Sequence, residues 1–230
     1  MRKCDNFFIR VSDVFLSSVS LIVFSPLFIV VSIVLRITGE GEIFYIQQRV
    51  GKNFEKIGLI KFATMLKDSP NIATGTLTVD NDPRVLPFGK ILRWTKINEL
   101  PQLLNVLLGD LSLIGPRPLT ADTFKMYSKE GQLAIAYVKP GLSGLGSIVF
   151  RDEARLLKNR SEPREYYARV ISPSKEKIET WFIQNRTLYN YYRLVFATIF
   201  VVALPRLDIL KSFGLKGTIS SLLHEELRDE

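Results

Sequence analysis

The chain has 230 residues, with 31 Lys and Arg against 23 Asp and Glu, a formal net charge of +8, 47% hydrophobic residues and a mean hydropathy of +0.13. A single Cys and a single His exclude a disulfide framework and a Cys/His zinc site, and a Ser-His-Asp triad would have to use His224 in a charged tail. Chemistry therefore falls to carboxylates, Lys, Arg, Tyr, hydroxyls or a metal held by oxygens. No basic arm stands out, so nucleic acid is not an expected partner; an anionic membrane surface or anionic substrate is.

From Val14 to Leu35 no charged residue occurs. A straight helix of that length, about 33 Å, would cross a hydrocarbon core of about 30 Å. Ser25-Pro26 lies near its middle, and Pro26 predicts a kink there. A sharp kink would leave two halves too short to span, dipping in and returning on one face. Arg2, Lys3 and Arg10 before the run and Arg36 after it put positive charge at both ends, which suits both ends being cytoplasmic. The residues leave three forms open: a single span, a re-entrant hairpin and a buried soluble helix.

Residues 42–65 read as a hairpin, with Glu42–Val50 extended, a turn at Gly51-Lys52-Asn53 and a return over Lys56–Phe62. Residues 66–83 read as a loop. One helix starts after Pro87 and carries Arg93; a second runs from about Asn98 to Leu108, with Leu103, Leu104, Leu107 and Leu108 as its apolar face and Gly109 ending it. Ser112–Leu119 is a Pro/Gly segment. A helix is expected over about Ala121–Val138, a Gly-rich turn over Lys139–Gly146, and charged helices over 152–186. The apolar core Leu194–Leu204 of the last stretch, Tyr191–Leu204, is too short to span and reads as a core helix or one lying on the membrane, with Arg193 and Arg206 at its ends.

Chemistry concentrates in 82–118. Asn98 can cap the helix that follows, Glu99 then lies in its first turn, and Pro101 is tolerated there. Free amides at such an N-terminus suit a phosphate. Arg93 and Arg117 can grip phosphate oxygens bidentately, and Glu99 and Asp110 are oxygen donors for Mg²⁺. Each also has a plainer reading: a helix cap, an exposed turn Arg, a helix-exit Asp. Spacing alone reaches an anion site close to a membrane segment.

The ordered set Ser25-Pro26, Arg49-Val50-Gly51-Lys52, Lys61-Phe62 before Thr64-Met65, Asn98-Glu99-Leu100-Pro101-Gln102-Leu103, Asn105-Val106, Gly109-Asp110, Gly115-Pro116-Arg117-Pro118 and Lys139-Pro140-Gly141 resembles the bacterial sugar transferases, monotopic phosphoglycosyl transferases, from about residue 5 to 205. The resemblance implies a mostly helical α+β fold: a re-entrant membrane helix, a small β-hairpin and amphipathic interfacial helices around a cytosolic catalytic domain. It divides the chain into a membrane helix at 1–36, a transferase domain at 37–205 and a tail at 206–230. It implies transfer of a sugar 1-phosphate from a UDP-sugar to polyprenyl phosphate at the cytoplasmic face of the bacterial inner membrane, with Mg²⁺. An Asp-Glu pair serves that chemistry: the Asp attacks the inner phosphorus, UMP leaves, and the lipid phosphate takes the sugar phosphate. Lys61, Arg93, Arg117 and Arg151 are then the expected phosphate contacts, and Glu99 and Asp110 the metal ligands. A homo-oligomer and downstream glycosyltransferases are further candidate partners.

The chain departs from that pattern where the chemistry sits. Asn98-Glu99 replaces Asp-Glu, and an amide is a poor nucleophile. Ala63 stands where an Arg is usual, and Ser147-Ile-Val-Phe-Arg151 keeps only the Arg of the expected segment before Asp152-Glu153. Three explanations stand: another carboxylate attacks (Glu99, Asp152 or Glu153), the sugar phosphate passes directly from donor to acceptor, or the chain is inactive. A non-catalytic scaffold binding UDP-sugar or lipid is the competing function. Sugar specificity is expected from the 66–81 loop or the 144–165 region.

Overall fold

A computed structural model describes residues 3–69, 82–151, 153–158, 160–203, 214–223 and 227. The fold is mostly helical with two small two-stranded sheets. Most of the 66–81 loop, Asp152, His224 and much of the tail lie outside the described residues.

Helix α1 (Lys3–Thr38) is long and apolar enough to cross a membrane by length and composition. It stays helical across Pro26, so the expected break does not interrupt it. Proline removes the donor that would have reached the carbonyl four residues back. That carbonyl, on Ile22, accepts instead from the Ser25 hydroxyl at 2.8 Å, which explains the Ser-Pro pairing in an apolar setting where unsatisfied backbone is costly.

Both ends of α1 rest on the same folded body. Near its start, Ile9 joins the main core, and the Arg10 guanidinium donates to the Val106 and Leu107 carbonyls at 2.6 and 2.8 Å. Buried Asp13 accepts from the Leu113 backbone at 2.8 Å and the Tyr191 hydroxyl at 2.7 Å. Near its end, Val31 and Leu35 are buried with Phe62 and Leu92, each side chain adding about 1.5–3 kcal/mol. Between these anchors Ile22–Pro26 are exposed on every side.

Strands β1 (Phe44–Val50) and β2 (Lys56–Phe62) form the expected antiparallel hairpin, Phe44 opposite Phe62 and Val50 opposite Lys56. Helix α2 (Pro87–Trp94) follows, and a buried ion pair between Arg84 and Asp82 (2.6 Å) fixes the chain just before it. The expected Asn98–Leu108 helix is instead a 3₁₀ turn, Ile97–Glu99, then α3 (Gln102–Leu108). Lys96, left-handed at φ 61°, turns the chain so that α3 cannot begin earlier, and Pro101 takes its cap position.

Strands β3 (Ser112–Ile114) and β4 (Gly141–Ser143) pair in parallel, inside two segments that read as turns. Glycine permits this approach: a Cβ on Gly141 would lie 2.1 Å from the Gly115 nitrogen, and one on Gly144 2.1 Å from the Gly115 oxygen. The expected 121–138 helix divides into α4 (Ala121–Phe124) and α5 (Lys129–Tyr137), because Ser128 caps a new start by accepting from Gly131 at 3.0 Å. Then come α6 (Leu145–Val149), α7 (Glu153–Leu156) and α8 (Pro163–Tyr166), which passes through a π turn into α9 (Ser172–Gln184). Helix α10 (Leu188–Ala203) buries Tyr191, Leu194 and Ala197 and exposes Phe196, Ile199 and Phe200. It therefore has both a core face and an open apolar one. Helix α11 is Lys216–Leu222.

Candidate active site

The hairpin, the Lys96–Leu100 turn, the Arg117–Thr123 stretch and helices α6, α7, α9 and α10 enclose a cavity of about 800 Å³. Lys61, Arg93, Asn98, Glu99, Arg117, Arg151 and Glu153 all line it, so residues scattered over ninety positions of sequence are brought together.

Glu99 is its electrostatic centre. The Arg117 guanidinium grips both carboxylate oxygens, at 2.7 Å to Oε1 and 3.4 Å to Oε2, the fork geometry that favours arginine. Lys61 Nζ lies 3.8 Å from Oε1 and donates to Gln47 Oε1 at 3.1 Å. Arg49 donates to the same Gln47 oxygen at 2.7 Å. Burial pushes the Glu99 carboxyl up, but Arg117 and Lys61 overcome it and hold the group well below the usual carboxylate range. Glu99 in turn raises Arg117. Burial, with Arg49, Arg117 and Arg93 nearby, brings Lys61 down to about 7 despite Glu99, and burial brings Arg49 down to about 10. A single carboxylate therefore faces several crowded cations, and the surplus positive charge suits an incoming polyphosphate.

Asn98 is buried beside Glu99, and its Oδ1 has no hydrogen-bond partner. It does not cap α3, which starts four residues later with no side-chain cap; the reading of Asn98 as a helix cap is corrected accordingly. Asp110 does not line the cavity. It accepts from Asn105 Nδ2 at 3.1 Å, just past Gly109, whose left-handed φ of 102° turns the chain away. Asp110 and Glu99 therefore do not form one metal set.

Arg151 reaches the cavity with its guanidinium donating to the Val201 carbonyl of α10. Glu153 is paired with Lys175 of α9, and Asp152 lies outside the described residues. The other described acids on the wall are also engaged: Glu40 with the Lys67 backbone and Glu42 with the Lys67 side chain at 2.9 Å. Among the described residues no three His, Cys, Asp or Glu cluster as a ready metal cage.

Sequence reasoning missed Arg49, Tyr167, Lys175 and Glu179 as site groups. Arg49 lies in the Arg-Val-Gly-Lys motif, a signal that was available. Lys175 and Glu179 look like ordinary charges on a helix until α9 packs beneath the cavity. Glu179 is buried and accepts from the Arg117 backbone at 3.3 Å; burial raises its carboxyl to about 7 against the pull of Arg117 and Lys175.

The bacterial sugar transferase family model matches residues 4–205. The chain is 32% identical to an exopolysaccharide production protein, ExoY, of Rhizobium meliloti over 213 residues, 86% of each chain. It is 31% identical to an undecaprenyl-phosphate galactose phosphotransferase of Salmonella typhimurium, covering 87% of this chain and 41% of that longer protein. It is 30% identical to a UDP-glucose:undecaprenyl-phosphate glucose-1-phosphate transferase of Escherichia coli, covering 83% of this chain and 39% of the other. With the match extending over nearly all of the cavity-forming elements, the chain belongs to the bacterial sugar transferase family.

Proposed function

We propose that this protein transfers a sugar 1-phosphate from a UDP-sugar to polyprenyl phosphate, releasing UMP, in the first membrane step of polysaccharide, capsule, O-antigen or glycoprotein glycan assembly. The observation that carries this reading is the cluster of Arg49, Lys61, Arg93 and Arg117 around Glu99, in a cavity whose wall includes Val201 and Val202 of the apolar helix α10. Cations suit the diphosphate of the donor and the phosphate of the acceptor; an apolar border suits a lipid tail.

Arg117 and Lys61, held in place by Glu99, bind and orient the donor's phosphates. The acceptor phosphate oxygen forms a bond to the sugar-bearing phosphorus as the bond from that phosphorus to the oxygen of UMP breaks, and UMP leaves as the anion. Transfer is read as direct: Asn98 is an amide, Glu99 and Glu153 are both held by cations, and the remaining candidate, Asp152, lies outside the described residues. The Asn98 amide offers its nitrogen as a donor to a phosphate oxygen. Mg²⁺ would be held by the unpartnered Asn98 Oδ1 and by Glu99 Oε2, where the Arg117 contact is the longer one at 3.4 Å and would have to yield, together with substrate phosphates; it would neutralise phosphate charge.

The membrane placement follows the same reading. A helix that crosses a bilayer once separates its ends by about 30 Å of hydrocarbon, whereas α1 packs near both ends on one body. This supports a re-entrant helix with Ile22–Pro26 at its inserted tip, the 37–205 domain on the cytoplasmic face of the inner membrane, and α10 lying at the interface. Both helices carry exposed apolar residues, among them Ile22, Val23, Ile29 and Val30 on α1 and Phe196 and Ile199 on α10, the kind of grouping that marks a membrane or partner surface.

UMP release from a panel of UDP-sugars, with undecaprenyl phosphate in vesicles and Mg²⁺, tests the function. Release with at least one donor is expected; none across the panel overturns it. Asn98 itself favours a second reading, a scaffold that binds UDP-sugar and releases no UMP.

A further inference from the structure

One corner of the cavity is chemically unlike its centre. Phe150, Glu153, Tyr167 and Lys175 line it together with Ser147. Lys175, on α9, is buried and pairs with Glu153 at the start of α7. Its ammonium also lies 5.4 Å from the ring centroids of both Phe150 and Tyr167. Burial disfavours the charged lysine, but Glu153 and Tyr167 more than compensate and raise it. The corner is thus close to neutral, whereas Arg49, Lys61, Arg93 and Arg117 gather around Glu99. Glu153 is the more open of the pair, its side chain 25% exposed against 11% for Lys175. The Ser147 hydroxyl has no hydrogen-bond partner.

A salt bridge kept for stability alone has little reason to stand on a cavity wall, since such a pair gains little over apolar packing. A carboxylate beside an ammonium, a free hydroxyl and two aromatic rings matches an uncharged ligand rich in hydroxyls. The carboxylate accepts from a pair of neighbouring hydroxyls, the ammonium and Ser147 donate or accept at others, and the rings exclude water. Uracil presents one N–H donor and two carbonyl acceptors, and uses a carboxylate poorly. A phosphate would be repelled by Glu153.

We infer that Glu153, Lys175 and Ser147 form the subsite for the donor's sugar ring, and that they recognise a neutral hexose through vicinal hydroxyls held at the Glu153 carboxylate. This rests on the donor being a nucleotide sugar. Two of the five residues, Ser147 and Phe150, lie in the Ser147–Arg151 segment, and all three proposed contacts lie on helices α6, α7 and α9 rather than in the cation cluster around Glu99.

Equilibrium binding of UDP and of neutral UDP-hexoses to the full-length protein in nanodiscs, for the wild type and for Glu153→Gln, Lys175→Met and Ser147→Ala, tests this without requiring turnover. The wild type is expected to bind its preferred UDP-hexose at least tenfold more tightly than UDP, and more tightly than the epimer that inverts one vicinal hydroxyl. Glu153→Gln and Lys175→Met are expected to reduce that advantage to within about threefold, and Ser147→Ala to reduce it in part, while UDP binding changes less than twofold. Retained UDP binding also shows that each variant is folded. A parallel loss of UDP binding would assign the corner to uridine, and an unchanged preference in all three variants would make the pair structural; either overturns the inference. Failure of the wild type to bind any UDP-sugar would instead overturn the donor reading beneath it.

Discussion

Arg117 holds Glu99 through its two terminal guanidinium nitrogens, at 2.7 and 3.4 Å, while its own backbone N–H is held from beneath by Glu179 at 3.3 Å. The pair lies between the cation-lined cavity and helix α9 packed behind it. The rigid backbone of Gly115-Pro116-Arg117-Pro118 comes from β3 pairing with β4, and β3 is in turn fixed by Asp13 of the apolar helix α1 through Leu113. Helix α1, Arg117 and Glu99 are therefore one connected set.

Replacing Glu99 with Gln removes the charge that Arg117 and Lys61 share and leaves buried cations facing one another. UMP release is expected to fall by about 100-fold or more, the scale of losing a preorganised charged group at a reacting centre. Arg117→Lys keeps the charge but not the fork, and should lose about tenfold or more. Steady-state rates with saturating acceptor measure both.

Glu179 predicts a pH signature in stability. Its carboxyl is raised to about 7 by burial, above the value of about 4.3 expected in the unfolded chain, so the folded state binds more protons between those two values. Its contribution is full below about pH 4.3 and is lost as pH rises through about 7. The shift bounds the effect at roughly 4 kcal/mol. Thermal melts from pH 5 to 8 should show the wild type losing ground to Glu179→Gln as pH rises; a constant difference would contradict it.

Asp13→Ala should loosen the membrane helix from the body. It leaves the Leu113 N–H and Tyr191 hydroxyl buried without an acceptor, at about 1–3 kcal/mol each. A lower melting temperature in detergent and faster cleavage by protease are expected, with Asp13→Asn intermediate because its amide oxygen still accepts.

Topology can be read by labelling. In a Cys4→Ser background, Asp5→Cys and Glu40→Cys should both resist a membrane-impermeant maleimide in intact spheroplasts and both react after lysis. Reaction of either one in intact spheroplasts would instead make α1 a single span.

The hairpin was legible because its residues alternate about a Gly-Lys-Asn turn, and the apolar helix because it lacks charge over so long a run. The cations were legible as types: Lys61, Arg93, Arg117 and Arg151 all reach one cavity. The parallel pairing of β3 with β4 was not, since three-residue strands carry no pattern and depend on Gly115, Gly141 and Gly144 touching across the chain. Asp110 misled because a carboxylate's spacing says nothing of the left-handed Gly109 that turns it outward. Asn98 misled as a cap because a single left-handed residue, Lys96, delays the helix. Lys175 carried no local signal at all; only the packing of α9 places it beside Glu153.

Whether Asn98 supports direct transfer is tested most directly by omitting the acceptor. Isotopically labelled UMP is incubated with enzyme, Mg²⁺ and the UDP-sugar that supports turnover, with and without polyprenyl phosphate. Direct transfer predicts UMP release only when donor and acceptor are both present, no exchange of label into UDP-sugar without the acceptor, and the appearance of such exchange in Asn98→Asp, where a carboxylate nucleophile is restored. Label exchange by the wild-type protein in the absence of acceptor would contradict it, because it requires a sugar phosphate held covalently on the enzyme.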